Sequence, residues 1–518
     1  MSEKIVNYQD LPIPKNSFLS TQNRLQISMN GKKVSNEEVQ IVSQSLQNCI
    51  NLQSLILNFK QCKTIGENIF SCLGPALATC TKLAQFSINF NNSNNIDSSL
   101  FQNLGIGFVS CTNLSIVTIN LNNVKQINPK YLYSLGFAIG QCNSLTQLTI
   151  DLSNNKLSDD TILSILGTNL ASLINLSRLS ISLKNNKFGI NGVSSFVSSL
   201  VNCVNLTSLF LQLQTNNSFG QGTLDFGSGF YNLTSLEFFI GGSTFYEYIE
   251  LGLFNGLSSC INLQDLNLQL YGLSKQDSMY LISSLRSIPK LQKFIGNFQS
   301  YQYDEEFAQY IGSELGSYQK LEYLDLEYNF KVNFEKSIIN LSSGLSNCPN
   351  LSILKLQLGG SNDEVRYETT SAFTQNLANC PKLSDLQLHI WTHNDHKLAD
   401  ESVKGLGFGL ANCNNLITLK LNLNNKRIGS QGISGLFSSL EKCQKLSILN
   451  VNLSWNKICF EGVKSIGVSL TKCKNLTCLQ LNLQQINDED NQLDEDNKQY
   501  FKRIVNKIKR LVKQSLKF

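Results

Sequence analysis

All three histidines of the chain fall within one short stretch, His389, His393 and His396, with Asp395, Asp400 and Glu401 close by. Imidazoles and carboxylates at such spacing are the donor types of a zinc site. The stretch also reads as a loop leaving a strand, where polar residues gather for solvation alone, so no metal is expected there. Because no other histidine exists, neither a Ser-His-Asp nor a Cys-His arrangement can be assembled elsewhere. The phosphate-cradling pattern G-x-x-x-x-G-K-[ST] is absent as well. Gly220 to Gly229 is glycine-rich but lacks the lysine, and reads as loop. The expectation is a chain without catalytic residues, metal or cofactor.

Cysteine is the other reactive group, with 15 in 518 residues. In a secreted chain that number would suggest bridges. Here Cys49, Cys80, Cys111, Cys142, Cys203, Cys260, Cys348, Cys380, Cys413, Cys443 and Cys473 share one phase of a repeat, and Leu173, Leu233, Ile288 and Tyr318 complete it. A position that accepts Cys, Leu, Ile or Tyr is apolar and buried. The thiols are expected reduced, packed as small hydrophobes.

That phase recurs at intervals of 31, 31, 31, 31, 30, 30, 27, 28, 30, 30, 32, 33, 30 and 30 residues, giving fifteen repeats from about Leu25 to Leu483. In one of them Cys443, Leu446, Leu449, Val451 and Leu453 precede Asn456, Ile458, Gly462, Ile466, Leu470 and Cys473. The first half alternates with period two, a strand signal. The second half spaces apolar residues along one helical face. Gly192, Gly432 and Gly462 stand where the chain enters that helix, and the preceding Asn is suited to hydrogen-bonding turn backbone. No unit buries its apolar face alone, so neighbours must stack.

Strands pack ~4.8 Å apart and helices ~10 Å apart, so stacked units must turn by about 20–25° each. The predicted architecture is an α/β solenoid, a horseshoe with a parallel sheet on the concave face and helices on the convex face.

The L-x-x-L-x-L core, the downstream Asn and Gly, and the Cys or Leu near the helix end resemble the ribonuclease-inhibitor class of leucine-rich repeats. An extra alternating position, as in Leu421-x-Leu423 and Leu481-x-Leu483, departs from that pattern and lengthens the strand. The resemblance implies a protein-binding scaffold whose partner it does not name. It also admits a GTPase activator of the Ran type, since those proteins follow such repeats with an acidic stretch.

Most residues predicted on the concave face are short and neutral: Ser87, Thr118, Thr149 and Ser180, then Asn89, Asn120, Asp151 and Ser182, and later Lys420, Asn422, Asn450, Asn452, Gln480 and Asn482. Asn ladders along the sheet compete with binding as their role. The central arc is richer in anchor types. The candidate partner-binding residues are Phe210, Ile240, Phe245, Tyr246, Tyr248, Ile295, Tyr301, Tyr303, Asp325 and Glu327. The competing role for these aromatics is to fill gaps left by Gly241 and Gly296.

The organisation read from this pattern is an N-terminal extension or cap (1–24), the solenoid (25–483), an acidic hinge (484–498) and a basic amphipathic helix (499–518). That helix either caps the last repeat or docks on a partner or an anionic surface. A net charge of +5 is mild for this length, and no nucleic acid is expected. No apolar run reaches the ~18 residues of a membrane span. Met1 to Ser20 carries Glu3, Lys4 and Asp10 without an apolar core, so a cytoplasmic location is expected. Together these readings point to a non-enzymatic scaffold, alone or as a subunit of a larger assembly.

Overall fold

In a computed structural model the described residues are 22–65, 71–94, 96, 99–125, 127, 129–214, 222–223, 229–240, 249–250, 253–271, 274–299, 303–330, 332–360, 365–392, 400–424, 427–484, 495–508 and 510–518. They form two compact units, 1–263 with 267–269, and 264–266 with 270–518.

In the first unit each period-two segment is a strand: Arg24–Ser28 (β1), Ser54–Asn58 (β2), Gln85–Asn89 (β3), Ile116–Asn120 (β4), Gln147–Asp151 (β5), Arg178–Ser182 (β6), Ser208–Gln212 (β7) and Ser235–Ile240 (β8). Helices alternate with them, except that the described residues between β7 and β8 hold none: Asn36–Gln47 (α1), Leu73–Ala78 (α2), Ser99–Ser110 (α3), Pro129–Gly140 (α4), Asp160–Ala171 (α5), Ile190–Leu200 (α6) and Leu253–Ser258 (α7). Sequential strands pair in parallel without slip, so Leu55 faces Phe86, Phe86 faces Val117, and Val117 faces Leu148. Burying one face fixes this register, since a one-residue slip would turn every core side chain outward. The boundary between the units falls in Asp265–Tyr271 (β9).

The second unit continues the alternation: Lys275–Ser284 (α8), Lys293–Gln299 (β10), Glu305–Gly316 (α9), Tyr323–Phe330 (β11), Phe334–Leu345 (α10), Ile353–Gly360 (β12), Tyr367–Ala378 (α11), Asp385–Thr392 (β13), Asp400–Leu410 (α12), Thr418–Asn422 (β14), Ser430–Leu440 (α13), Ile448–Asn452 (β15), Phe460–Lys472 (α14) and Cys478–Asn482 (β16). Each unit is thus a stretch of α/β solenoid of the leucine-rich-repeat type. The extra alternating position extends the pairing beyond the strand: the Leu423 N–H donates to the Asn452 carbonyl at 2.9 Å, and Leu423 is buried.

All eleven phase cysteines are buried thiols that form no disulfide. Where Gly296 replaces the second core leucine, the rings of Phe298 and Phe294 occupy the space a Cβ would need.

Polar side chains repeat with the same period and tie each unit together. Asn456 Nδ2 donates to the carbonyls of Leu453 (2.9 Å) in its own repeat and Leu423 (2.8 Å) in the preceding one, while its Oδ1 accepts from the Ile428 N–H. Asn186 does the same with Leu183 and Leu152. At the helix entry, an acceptor from one repeat caps the next helix: Asp160 accepts from the Gly189 N–H, Asp400 from Gly429 and Ser430 from Cys459. That cap is why glycine follows. A Cβ on Gly192, Gly432 or Gly462 would stand under 3 Å from Asp160, Asp400 or Ser430. At the opposite corner, Asn113, Asn205 and Asn475 donate to the carbonyls of Thr81, Ile174 and Gln444, each one repeat earlier.

The tail corrects the predicted helix over 499–518. Its helix is Glu495–Asn506 (α15), and Lys513–Lys517 (β17) is a strand paired in parallel with β16. Phe501 and Val505 are buried against the last repeat, and Leu481 faces Leu516. The lysines at both ends of β17 suit an edge strand, which must not invite further pairing. Residues 1–21 and 485–494 lie outside the described residues, and 495–498 of the predicted acidic hinge are instead the first turn of α15.

Candidate protein-binding face

Alternation along each strand sends every second side chain away from the core. In the first unit that outer face is largely committed to itself. Asn89, Asn120 and Asp151 accept from backbone N–H groups two residues on, as Asx turns do. Ser182 bonds to Ser153 and to Gln212, and Asn122 donates to Asp151. Just beyond the strands, Asn92, Asn123, Asn154 and Asn185 all have positive φ, and Asn123 donates to Asn92 as Asn185 does to Asn154. A depression of about 460 Å³ is lined by several of these groups together with Thr149, Ser180 and Lys184.

Phe210 is half-buried on this face, its ring 5.4 Å from that of Phe239. Ile240 is not on it. Leu236, Phe238 and Ile240 share the inward parity of β8, and Ile240 is 3% exposed. The outward residues of that strand are Glu237 and Phe239. Phe245, Tyr246 and Tyr248 lie outside the described residues.

In the second unit Tyr303 is also core, at 0% exposure. It stacks on Phe307 at 4.1 Å, and its hydroxyl bonds to Ser278 at 2.8 Å. Here the gap-filling role holds, and neither Ile240 nor Tyr303 is available to a partner. Tyr301 lies outside the described residues. Ile295, Asp325 and Glu327 do face outward, half-buried, with Ile295 in register with Asp325.

From Asp325 the row runs in register through Lys355, Gln387, Lys420 and Asn450. The next row is Glu327, Gln357, His389, Asn422 and Asn452. Apart from Glu327, these residues line a depression of about 510 Å³ that also takes in Leu356, Leu388 and Leu421. Lys355 lies 3.7 Å from Asp325, and its ammonium sits 5.0 Å from the Tyr323 ring centre. Burial pushes the Asp325 carboxyl up, opposed by Lys355 and the Tyr323 hydroxyl. Burial would lower Lys355, but the Tyr323 hydroxyl and the nearby carboxylates hold it above the ordinary value. Among the described residues the Lys420 ammonium has no hydrogen-bond or ion-pair partner, while its backbone is paired in the sheet.

Both tryptophans belong to this unit. Trp391 lies at the end of β13, 5.1 Å from the His389 ring, and its indole covers the position a Cβ on Gly359 would take. Trp455 is 52% exposed, with φ of 60°, at the strand-exit position that asparagine fills in four repeats of the first unit. A bulky residue in that conformation is an outlier. A Trp where other repeats carry Asn is a signal present in the sequence itself. His393 and His396 lie outside the described residues, and no group of three metal-ligating side chains occurs among the described ones. No described helix is long and apolar enough to cross a membrane.

The fold and this face together define a leucine-rich-repeat-type solenoid. No family model matches the chain. No curated protein matches it. Among solved structures it is similar to the Rad7 and Elc1 complex in yeast, at 14% identity and a TM-score of 0.34, over 89% of this chain and 91% of that one.

Proposed function

We propose that the chain is a non-enzymatic, ribonuclease-inhibitor-like scaffold that binds a protein partner through its strand face, alone or as a subunit of a larger assembly. The observation that carries this reading is the contrast between the two faces. Most of the first unit's outer side chains bond to one another, whereas the second unit presents a depression lined by Lys355, Lys420, His389 and Asp325, and Trp455 is exposed in the same unit. Charged and aromatic groups in partly desolvated positions are what interface anchors are made of. A cytoplasmic location is part of the proposal, supported by cysteines placed as core residues rather than as bridges.

The test is positional crosslinking in native cells. A photo-crosslinker at Asn450 on the strand face should capture the partner, and one at Ser438 on the outer side of α13 should not. Capture from Ser438 alone would refute strand-face binding.

A further inference from the structure

We propose that the partner presents an acidic polypeptide segment and that Lys355 and Lys420 receive two of its carboxylates. This rests on the strand-face reading above and adds the chemistry of what docks there.

Lys355, Gln387 and Lys420 occupy one register row on three neighbouring strands. Two strand spacings set the lysine Cα atoms roughly 10 Å apart. Lys355 is steadied by Tyr323 and Asp325, so its ammonium is held at the surface rather than swinging free. Lys420 is half-buried and its ammonium has no partner among the described residues. A partly desolvated ammonium without a counter-charge is unfavourable, and an incoming carboxylate relieves it. Around the pair stand the amides of Gln357, Gln387 and Asn422; Gln387 donates to Asp385 and Asn422 accepts from Asn452, and their remaining polar capacity can bond a polypeptide backbone between charges.

The same geometry disfavours a nucleic acid. Asp325, Glu327 and Asp385 stand on β11 and β13 beside the lysines, where they would repel a continuous phosphate backbone. Discrete carboxylates can sit at the lysines and avoid the acids.

The chain carries its own reporters, since both its tryptophans, Trp391 and Trp455, lie at strand exits of this unit. The experiment titrates the full chain, read by tryptophan emission and by anisotropy of a labelled probe. The probes are a blocked peptide of alternating Glu and Gly, its Gln counterpart, and a single-stranded RNA of equal length. The Glu peptide should bind, the Gln peptide should not, and Lys420→Gln should weaken binding about tenfold or more. Lys474→Gln removes one charge at an exposed corner and should leave binding unchanged. Lys420→Glu should abolish binding of the Glu peptide while the circular dichroism spectrum stays native.

Equal binding of both peptides, equal weakening by Lys474→Gln, or tighter binding of the RNA would overturn the proposal. If the Glu peptide fails while Asn450 still crosslinks to a partner, only the acidic chemistry is wrong. If crosslinking comes from Ser438 alone, strand-face binding itself is wrong.

Discussion

The guanidinium of Arg510 donates to the carbonyl of Leu470 at 2.8 Å, and reaches Thr471 at 3.1 Å, at the C-terminal end of α14. A cation there satisfies carbonyls that have no partner within the helix and meets the negative end of its dipole. The tail therefore caps the last repeat from both layers, with Arg510 and α15 on the helix side and β17 on the strand side. Arg510→Ala should lower stability by about 1 kcal/mol. Removing residues 495–518 should cost several times more, because the seats of Phe501 and Val505 become open surface. Hydrogen exchange within α14 and β16 checks this, and unchanged protection after truncation would contradict the capping role.

Asn456→Ala is expected to be among the costlier single changes. It leaves the buried carbonyls of Leu423 and Leu453 and the Ile428 N–H without a side-chain partner, for a loss of roughly 2–4 kcal/mol. Asn456→Asp should also destabilise, since a carboxylate cannot donate to those carbonyls. Urea unfolding of both variants measures it.

Stability should fall steeply in alkali. Burial pushes the thiols of Cys111, Cys142 and Cys413 up to about 12, against an ordinary 9.0. With the folded value above the unfolded one, the stabilising effect is fully present below pH 9 and is lost as pH climbs toward 12. For each such thiol the full loss is on the order of 4 kcal/mol. Urea midpoints should be flat from neutral pH to about 8.5 and then drop. Cys413→Val should make the drop shallower.

Among the thiols, Cys459 should react first. It is exposed, and the Ser430 hydroxyl and then the backbone N–H groups at the start of α14 hold its thiol below the ordinary value. Iodoacetamide labelling followed by peptide mapping should place the fast site there, and Ser430→Ala should slow it. Equal rates at Cys459 and the buried Cys443 would contradict the assignment.

At the proposed interface, alanine in place of Phe210, Ile295, Asp325, Glu327 or Trp455 should change melting little. Substitution of a true anchor should weaken partner binding by about 2 kcal/mol, roughly thirtyfold. Ile240→Ala and Tyr303→Ala should instead destabilise the fold.

The repeat, its strands, its buried cysteines and the turn asparagine were legible because each is enforced by periodic burial, and burial writes itself into residue type. Facing was less legible where the period lapsed. Around Gly296 the core is filled by Phe298, Phe294 and Tyr303, and an aromatic that plugs a gap has the same composition as one that binds a partner. Ile240 was misplaced by a single step of alternation. The tail was legible as apolar and basic, but its switch from helix to strand after Asn506 depends on pairing with β16, which no local pattern encodes. Lys420 was visible as a face residue. Its want of a counter-charge emerged only once its neighbours were in register.

The corner asparagines have a consequence for the chain's chemistry in cells. Asn113, Asn175, Asn205, Asn232, Asn350 and Asn475 each begin an Asn-Leu-Ser or Asn-Leu-Thr triplet, the acceptor signature for N-linked sugar. In every one the amide nitrogen a sugar would occupy already donates to a carbonyl one repeat earlier. The triplet's hydroxyl does the same, as Ser115 to Ala84 and Thr207 to Ser177. What looks like a glycan address is a seam stitch. A chain decorated there before folding would bring its repeats together with the stitches cut.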